Sequence, residues 1–363
     1  MRKSAVLIFL VCCLLTAWGQ NSAPSPPSPQ PQASADKPNA DRFLTLDVVV
    51  TDKSGTPVSS LAQQDFTLLD DKQAKPVLSF RASEQSSAAA EPVQVLFIID
   101  EVNCSPRALS NGRQQLEKFL RQSGSQLPVP MSLVFFSDRS TQVQGTPTLN
   151  PASLLEGLKT AGSSLSEYNQ SSGLYGDAER LEKSIRMLDK LTAYESRQPG
   201  RKLMVWLSPG WPLLAEPQIT LVPKDQENHF QTVVRLSDRL REARVTVYDI
   251  DPLGTEDAAN FRTFYYETFL KGVTSASKVG NANLALQVLA VQSGGLVLNR
   301  TNDIADVIAT SVADTKAYYT VTLAPAAADH PDEYHELQVN VSKPGLTART
   351  RTGYYAQRAA PVK

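Results

Sequence analysis

Cysteine and histidine are scarce in this 363-residue chain, which has three of each. Cys12 and Cys13 sit inside an apolar leader, so the rest of the chain holds Cys104 alone. One thiol closes no internal disulfide, and the folded part must depend on its core. Pairing of Cys104 with another chain stays open. The histidines, His229, His330 and His335, leave little room for imidazole chemistry. His229 falls in the helical stretch "KDQENHFQTVVRL", and the other two in "DHPDEYHEL", a polar turn before a strand. Acids around that pair can catch zinc, but no third ligand stands at a fixed spacing, so the segment reads as a solvated loop. An excess of charge of one sign is also missing. Lys plus Arg number 36 against 37 Asp plus Glu, so no long-range field selects nucleic acid or an anionic membrane. The motifs GxGxxG, GxSxG, HExxH and the Walker loop are absent, which removes the nucleotide, α/β-hydrolase and zincin chemistries that depend on them. No repeat at a fixed period is visible, which sets aside solenoids and propellers.

One long apolar run is present, at the start. "MRKSAVLIFLVCCLLTAWGQ" has basic Arg2 and Lys3, an apolar stretch from Ala5 to Leu15 and a small-x-small site at Ala17-Trp18-Gly19. It predicts a cleaved secretory signal over residues 1–19, since the run falls short of the roughly 20 residues a spanning helix needs. Cys12 and Cys13 lack the small residue that precedes a lipidated cysteine. The expected product is exported to periplasm, envelope or medium, with no transmembrane segment once the signal is gone. Residues 20–41 are rich in proline and serine and read as a disordered spacer.

Residues 42–82 read as a β-rich segment, with strands near Leu44 to Thr51, Phe66 to Leu69 and Pro76 to Phe80. From 92 to 316 the pattern changes to short, wholly apolar strands alternating with amphipathic helices. Strands are predicted at 93–99, 131–136, 203–207, 245–250 and 295–298, and helices at 107–121, 151–158, 177–190, 226–243, 283–292 and 304–315. Strands without polar alternation are buried on both faces by covering helices. The fold class expected is therefore α/β, a Rossmann-like, doubly wound, mostly parallel sheet. Residues 317–357 return to β-character, and the alternation of Leu337, Val339 and Val341 marks a half-exposed antiparallel strand. The two terminal segments are expected to pair as one small sheet beside the α/β core.

The first α/β strand, "VQVLFIID", delivers Asp100 to the carboxyl end of the sheet, where open α/β domains place ligands. With "MSLVFFSD" and "KLMVWLSPG" it resembles a von Willebrand factor A (vWA) domain. "LDVVVTDKSGTPVSSLAQQDFTLLDD", "LFIIDEVNCS" and "KPGLTARTRTGYYA" are similar to a secreted vWA-related family found chiefly in acidobacteria. The resemblance spans about residues 43 to 356. It implies a metal-ion-dependent adhesion site built from Asp-x-Ser-x-Ser with a later threonine and aspartate. Here the motif reads Asp100-Glu101-Val102-Asn103-Cys104, so Asp100 alone carries over as a metal ligand. Val102 offers no donor, and a thiol suits a hard cation poorly. Ser208-Pro209-Gly210 stands where the later aspartate belongs, and the threonine has no clear place in "AGSSLSEYNQSSGLYGD". The expected site is degenerate and without cofactor. Magnesium could return only if Glu101, Asn103 and Ser105, with Ser171, Ser172 or Ser208, curl toward one ion. A plainer role for Asp100 is to cap the following helix or accept backbone amides.

The expected function is an exported, non-enzymatic protein-binding module for adhesion or scaffolding, with a face lined by Asp100, Asn103, Ser105, Ser208 and Trp211. Trp211, in the proline-flanked "SPGWPLLAEP", is either a rigid recognition element or folded back onto the domain. The aromatic stretch "NFRTFYYETFLKGV" reads as core or as contact surface. The alternatives are a structural envelope protein acting by self-assembly through an edge strand, and a metal-dependent hydrolase using the acidic loop.

Overall fold

A computed structural model describes residues 43–84, 91–162, 173–212, 221–256 and 265–357. The expected signal and spacer, Ser171 and Ser172, and Phe261 and Phe264 lie outside the described residues. Six strands form the central sheet: β5 (Val93–Asp100), β6 (Met131–Phe136), β7 (Thr141–Thr148), β8 (Arg201–Leu207), β9 (Val245–Ile250) and β10 (Val297–Leu298). Their spatial order is β10-β9-β8-β5-β6-β7. All neighbours are parallel except β6 and β7. This is the 3-2-1-4-5-6 order of a doubly wound sheet with its third strand reversed. The order switches direction between β5 and β8, and the carboxyl ends of these two strands are where open α/β sheets place their ligands.

The lack of polar alternation in these strands has the expected cause. Leu96 and Ile98 of β5 enter one core and Val95, Phe97 and Ile99 the other. The first core is closed by α3 (Gly173–Glu195), α4 (Pro223–Glu242) and α5 (Leu286–Gln292). The second is closed by α1 (Pro106–Gln122), α2 (Pro151–Gly162) and α6 (Ile304–Ala313). Each fully buried Leu, Ile or Phe contributes about 1.5–3 kcal/mol, so this layering supplies most of the driving force. Edge strand β7 was not legible as a strand. Its "TQVQGTPT" is mostly exposed and buries no run of side chains. Gly145 and Pro147 interrupt its threonines and valine, and no buried face gives it a period.

The terminal segments correct the expectation of a single small sheet. They form two four-stranded sheets. One has the order β13-β1-β11-β4, from β1 (Leu44–Thr51), β4 (Ser79–Glu84), β11 (Ala317–Leu323) and β13 (Thr347–Arg349). The other has the order β14-β12-β2-β3, from β2 (Phe66–Asp70), β3 (Gln73–Lys75), β12 (Glu333–Val341) and β14 (Gly353–Ala356). Each alternating strand has one apolar face, and two sheets must close on each other to bury both. Leu46, Val48, Val50, Tyr319 and Val321 of the first meet Phe66, Leu68, Leu337 and Tyr354 of the second. Two arginines tie this sandwich to the α/β core. Arg244 pairs with Asp47 and Glu91, and Arg349 pairs with Asp314. Among the described residues no helix is long and apolar enough to cross a membrane.

Candidate functional site at the strand ends

Strand β5 is apolar up to its last residue, so Asp100 is carried into the molecule before the chain can turn. It is fully buried. The loop that follows bends sharply enough for the backbone amides of Val102 and Asn103 to reach Asp100 Oδ1, at 3.0 and 2.9 Å. Oδ2 accepts from Asn103 Nδ2 at 2.8 Å and from the indole Nε1 of Trp206 at 2.9 Å. A carboxylate has about four lone-pair sites, and four protein donors occupy them. Burial pushes the Asp100 carboxyl above the ordinary carboxylate range, and the donors from Asn103, Trp206 and Ser208 oppose the shift.

The rest of the loop closes over this carboxylate. Val102 is fully buried in the core that holds Trp206. Cys104 is buried too, its Sγ 3.5 Å from the carbonyl of Leu207. Burial, with Asp100, Asp251 and Asp249 nearby, drives its thiol well above the ordinary range, so it is a filler and not a thiolate. Asn103 Nδ2 also donates to Ser184 Oγ at 2.9 Å, which fastens the loop to α3. Ser105 is exposed, and its hydroxyl accepts the Ala108 amide at 3.2 Å as the N-cap of α1, ahead of Pro106. The helix is therefore capped by Ser105, and Asp100 serves the loop amides instead. Glu101 is half-buried, and its carboxyl is raised by desolvation and by Asp138 and Asp100, against the pull of Arg113.

After β8 the chain makes a tight turn. Ser208 is fully buried and its Oγ accepts the Gly210 amide at 3.2 Å. Gly210 has φ +99, and a Cβ there would lie 1.9 Å from the Gln287 side-chain nitrogen, which donates to the Pro209 carbonyl. This turn sends Trp211 inward. At 3% exposure it packs edge-on to Trp206 with ring centroids 5.3 Å apart. That corrects its placement on an open face, because the turn geometry and the apolar ring both favour the core. The aromatic stretch is divided: Tyr266 is buried against Ala285 and Val288, while Tyr265 is half-buried against Phe269.

The structure thus brings Asp100, Asn103 and Ser208 together, leaves Ser105 at the rim and takes Trp211 away. Trp206, Ser184, Asp249 and Asp251 also belong to the site and were missed. Asp249 is buried near the carboxyl end of β9, and its Oδ1 meets no donor among the described residues. Desolvation raises its carboxyl well above the ordinary range, and the charges of Asp251 and Asp100 add to the shift. Acids inside the apolar "VTVYDID" were the available signal.

No family model and no curated protein matches the chain. Its solved structural neighbours include von Willebrand factor A domains. The SpRpn10 VWA domain is 14% identical with a TM-score of 0.27, over 62% of this chain and 97% of that one. A von Willebrand factor type A protein from Catenulispora acidiphila is 10% identical with a TM-score of 0.25, over 88% of this chain and 74% of that one. The pilus adhesin SpaC from Lactobacillus rhamnosus GG is 10% identical with a TM-score of 0.39, over 83% of this chain and 49% of the adhesin, so the match spans about half its length. The strand order, with its single reversed strand and three helices on each face, is that of a vWA-like Rossmann fold with antiparallel sheets added at both chain ends.

Proposed function

We propose that the chain is an exported, non-enzymatic vWA-type module that binds a protein partner for adhesion or scaffolding through its strand-end face, without a metal ion. One observation supports this above the others. At the position where the adhesion-site ion would sit, the Asp100 carboxylate is sealed beneath Val102 and Cys104 and has its lone pairs taken by four protein donors. An ion there would have to displace two backbone amides and an indole, and would find an apolar side chain at one expected ligand position. The residues do not fit the ion, and the adhesion site is read as degenerate. The exposed part of the face is the rim of Ser105, Pro106 and Arg107. Export rests on the pattern of residues 1–19.

The test has two arms. Calorimetric titration of the full chain with magnesium and calcium should give no heat; binding that disappears in Asp100→Asn would restore a metal-dependent face. In the second arm, capture of partners from an envelope extract of the producing cells should persist in chelator. It should fall at least tenfold in the double variant Ser105→Asp, Arg107→Glu, in which aspartate keeps the helix cap. Undiminished capture by that variant would remove the face from consideration.

A further inference from the structure

The β-sandwich holds a second constellation that the strand-end reading does not use. On β12, Leu337 faces the sandwich core, and the period of two puts His335 on that same inner face. His335 lies opposite Tyr354 of β14, and Leu337 lies opposite Asp70 of β2. Asp70 and His335 are therefore carried inward together, at 1% and 6% exposure. Asp71 follows in the tight β2–β3 turn with φ 49, and its side chain is half-exposed. Its Oδ1 accepts the Glu336 amide at 2.8 Å, which pins the turn to β12 and leaves Oδ2 directed at the histidine.

Three potential ligand atoms from these residues lie within 4.8 Å of one another. His335 Nδ1 is 2.7 Å from Asp71 Oδ2 and 3.6 Å from Asp70 Oδ1. Yet neither ring nitrogen makes an aligned hydrogen bond, and Asp70 Oδ1 accepts none. The other oxygen, Oδ2, is served: the Tyr354 hydroxyl, which accepts the Ala326 amide at 2.8 Å, donates to Asp70 Oδ2 at 3.0 Å, and Lys75 Nζ stands 3.9 Å away. A buried carboxylate oxygen and a buried imidazole that make no hydrogen bond are costly in a finished hydrogen-bond network. Atoms that co-ligate one ion behave differently, since each points at the ion and not at its neighbours. Two ligands about 2.0–2.1 Å from a tetrahedral ion stand roughly 3.3 Å apart, and the two nitrogen–oxygen separations bracket that value.

We propose that Asp70, Asp71 and His335 bind one divalent transition-metal ion of the zinc type, with water as the fourth ligand on the exposed side of Asp71. An imidazole with two carboxylates suits zinc, and magnesium or calcium would prefer oxygen throughout. The ion joins the β2–β3 turn to β12 and closes the polar end of the sandwich core. It enters from the side of Asp71.

Calorimetry with zinc chloride on the full, untagged chain in a non-coordinating buffer tests this. One equivalent should bind, and the affinity should fall at least tenfold in His335→Ala and in Asp71→Asn, while His330→Ala leaves it unchanged. Zinc should also raise the melting temperature of the wild-type chain and not that of Asp71→Asn. The asparagine keeps the Oδ1 acceptor and tolerates positive φ, so it remains informative if the histidine variant does not fold. No zinc binding, or binding equal in wild type and Asp71→Asn, would overturn the proposal.

Discussion

At the scale of single residues, the strand ends are a place where carboxylates are buried close together, and this has a pH signature. Asp249 is raised well above its ordinary value of 3.8 by desolvation and by the charges of Asp251 and Asp100. In the unfolded chain it returns to that value, so between the two values the folded chain holds the extra proton and stability falls as pH rises. The contribution is complete below 3.8 and lost as pH rises through the raised value. Asp249→Asn removes the titration and keeps the shape of the side chain. Urea unfolding at pH 5 and pH 8 should show a smaller decline for the variant, with a gain of more than about 1 kcal/mol over wild type at pH 8. Parallel pH dependences would mean that Asp249 is not the group that titrates. Of this site the sequence made Asp100, Asn103, Ser105 and Ser208 legible, because strand-end position and alternation within a loop are local properties. The indole that serves Asp100 was hidden: Trp206 sits in the apolar strand "KLMVWL", where an aromatic ring reads as core, and its hydrogen bond spans 106 positions. Burial of Trp211 was equally illegible, since it depends on a left-handed turn at Gly210.

At the scale of elements, periodicity located the central strands within a residue or two, because strands buried on both faces and helices with one apolar stripe follow from patterns a short window contains. It failed for β7, which is exposed, and it overran β10, whose two residues Val297–Leu298 lie inside the strand expected at 295–298. Connections between elements carry information that periodicity lacks, and the β8–α4 connection is the clearest case. Gly210 needs both a positive φ and the space that a Cβ would take from Gln287. Gly124, after α1, has φ +75 with nothing within 4 Å of its Cβ position. Gly124→Ala should therefore cost backbone strain alone, about 1–3 kcal/mol. Gly210→Ala should cost at least about 1 kcal/mol more, because it also breaks the 3.1 Å bond from Gln287 to Pro209. Denaturant midpoints of the two variants make the comparison, and equal losses would mean that Gln287 repacks freely.

At the scale of the whole molecule, both chain ends return to build one sandwich, a pairing of residues some 270 positions apart that no sequence window reveals. Leu46, for example, lies opposite Val321. Buried charges couple this sandwich to the α/β core, together with Tyr355 of β14, which enters the core of α3 and α4 edge-on to Phe230. Arg349, at the end of β13, donates to Asp314 and, at 2.5 Å, to the Gly294 carbonyl, and its guanidinium lies over the Tyr248 ring at 5.6 Å. Asp314 is buried, and without the arginine its side chain keeps the hydrogen bond from the Tyr248 hydroxyl. Breaking a buried pair by removing one member costs about 3–5 kcal/mol, since the stranded charge stays desolvated. Arg349→Met should lose that amount, and the loss should be uneven. The β13-β1-β11-β4 sheet meets the core through this residue, through Arg244 and through the Arg201 guanidinium over the Tyr318 ring, whereas β5 and β8 are buried on both faces by six helices. Hydrogen exchange on the variant should therefore show amides of β1 and β11 opening well before those of β5 and β8, with both sets closer together in the wild-type chain. If the two sets instead accelerate together, the sandwich and the α/β core unfold as a single cooperative unit, and Arg349 stabilises the whole without acting as the joint between its parts.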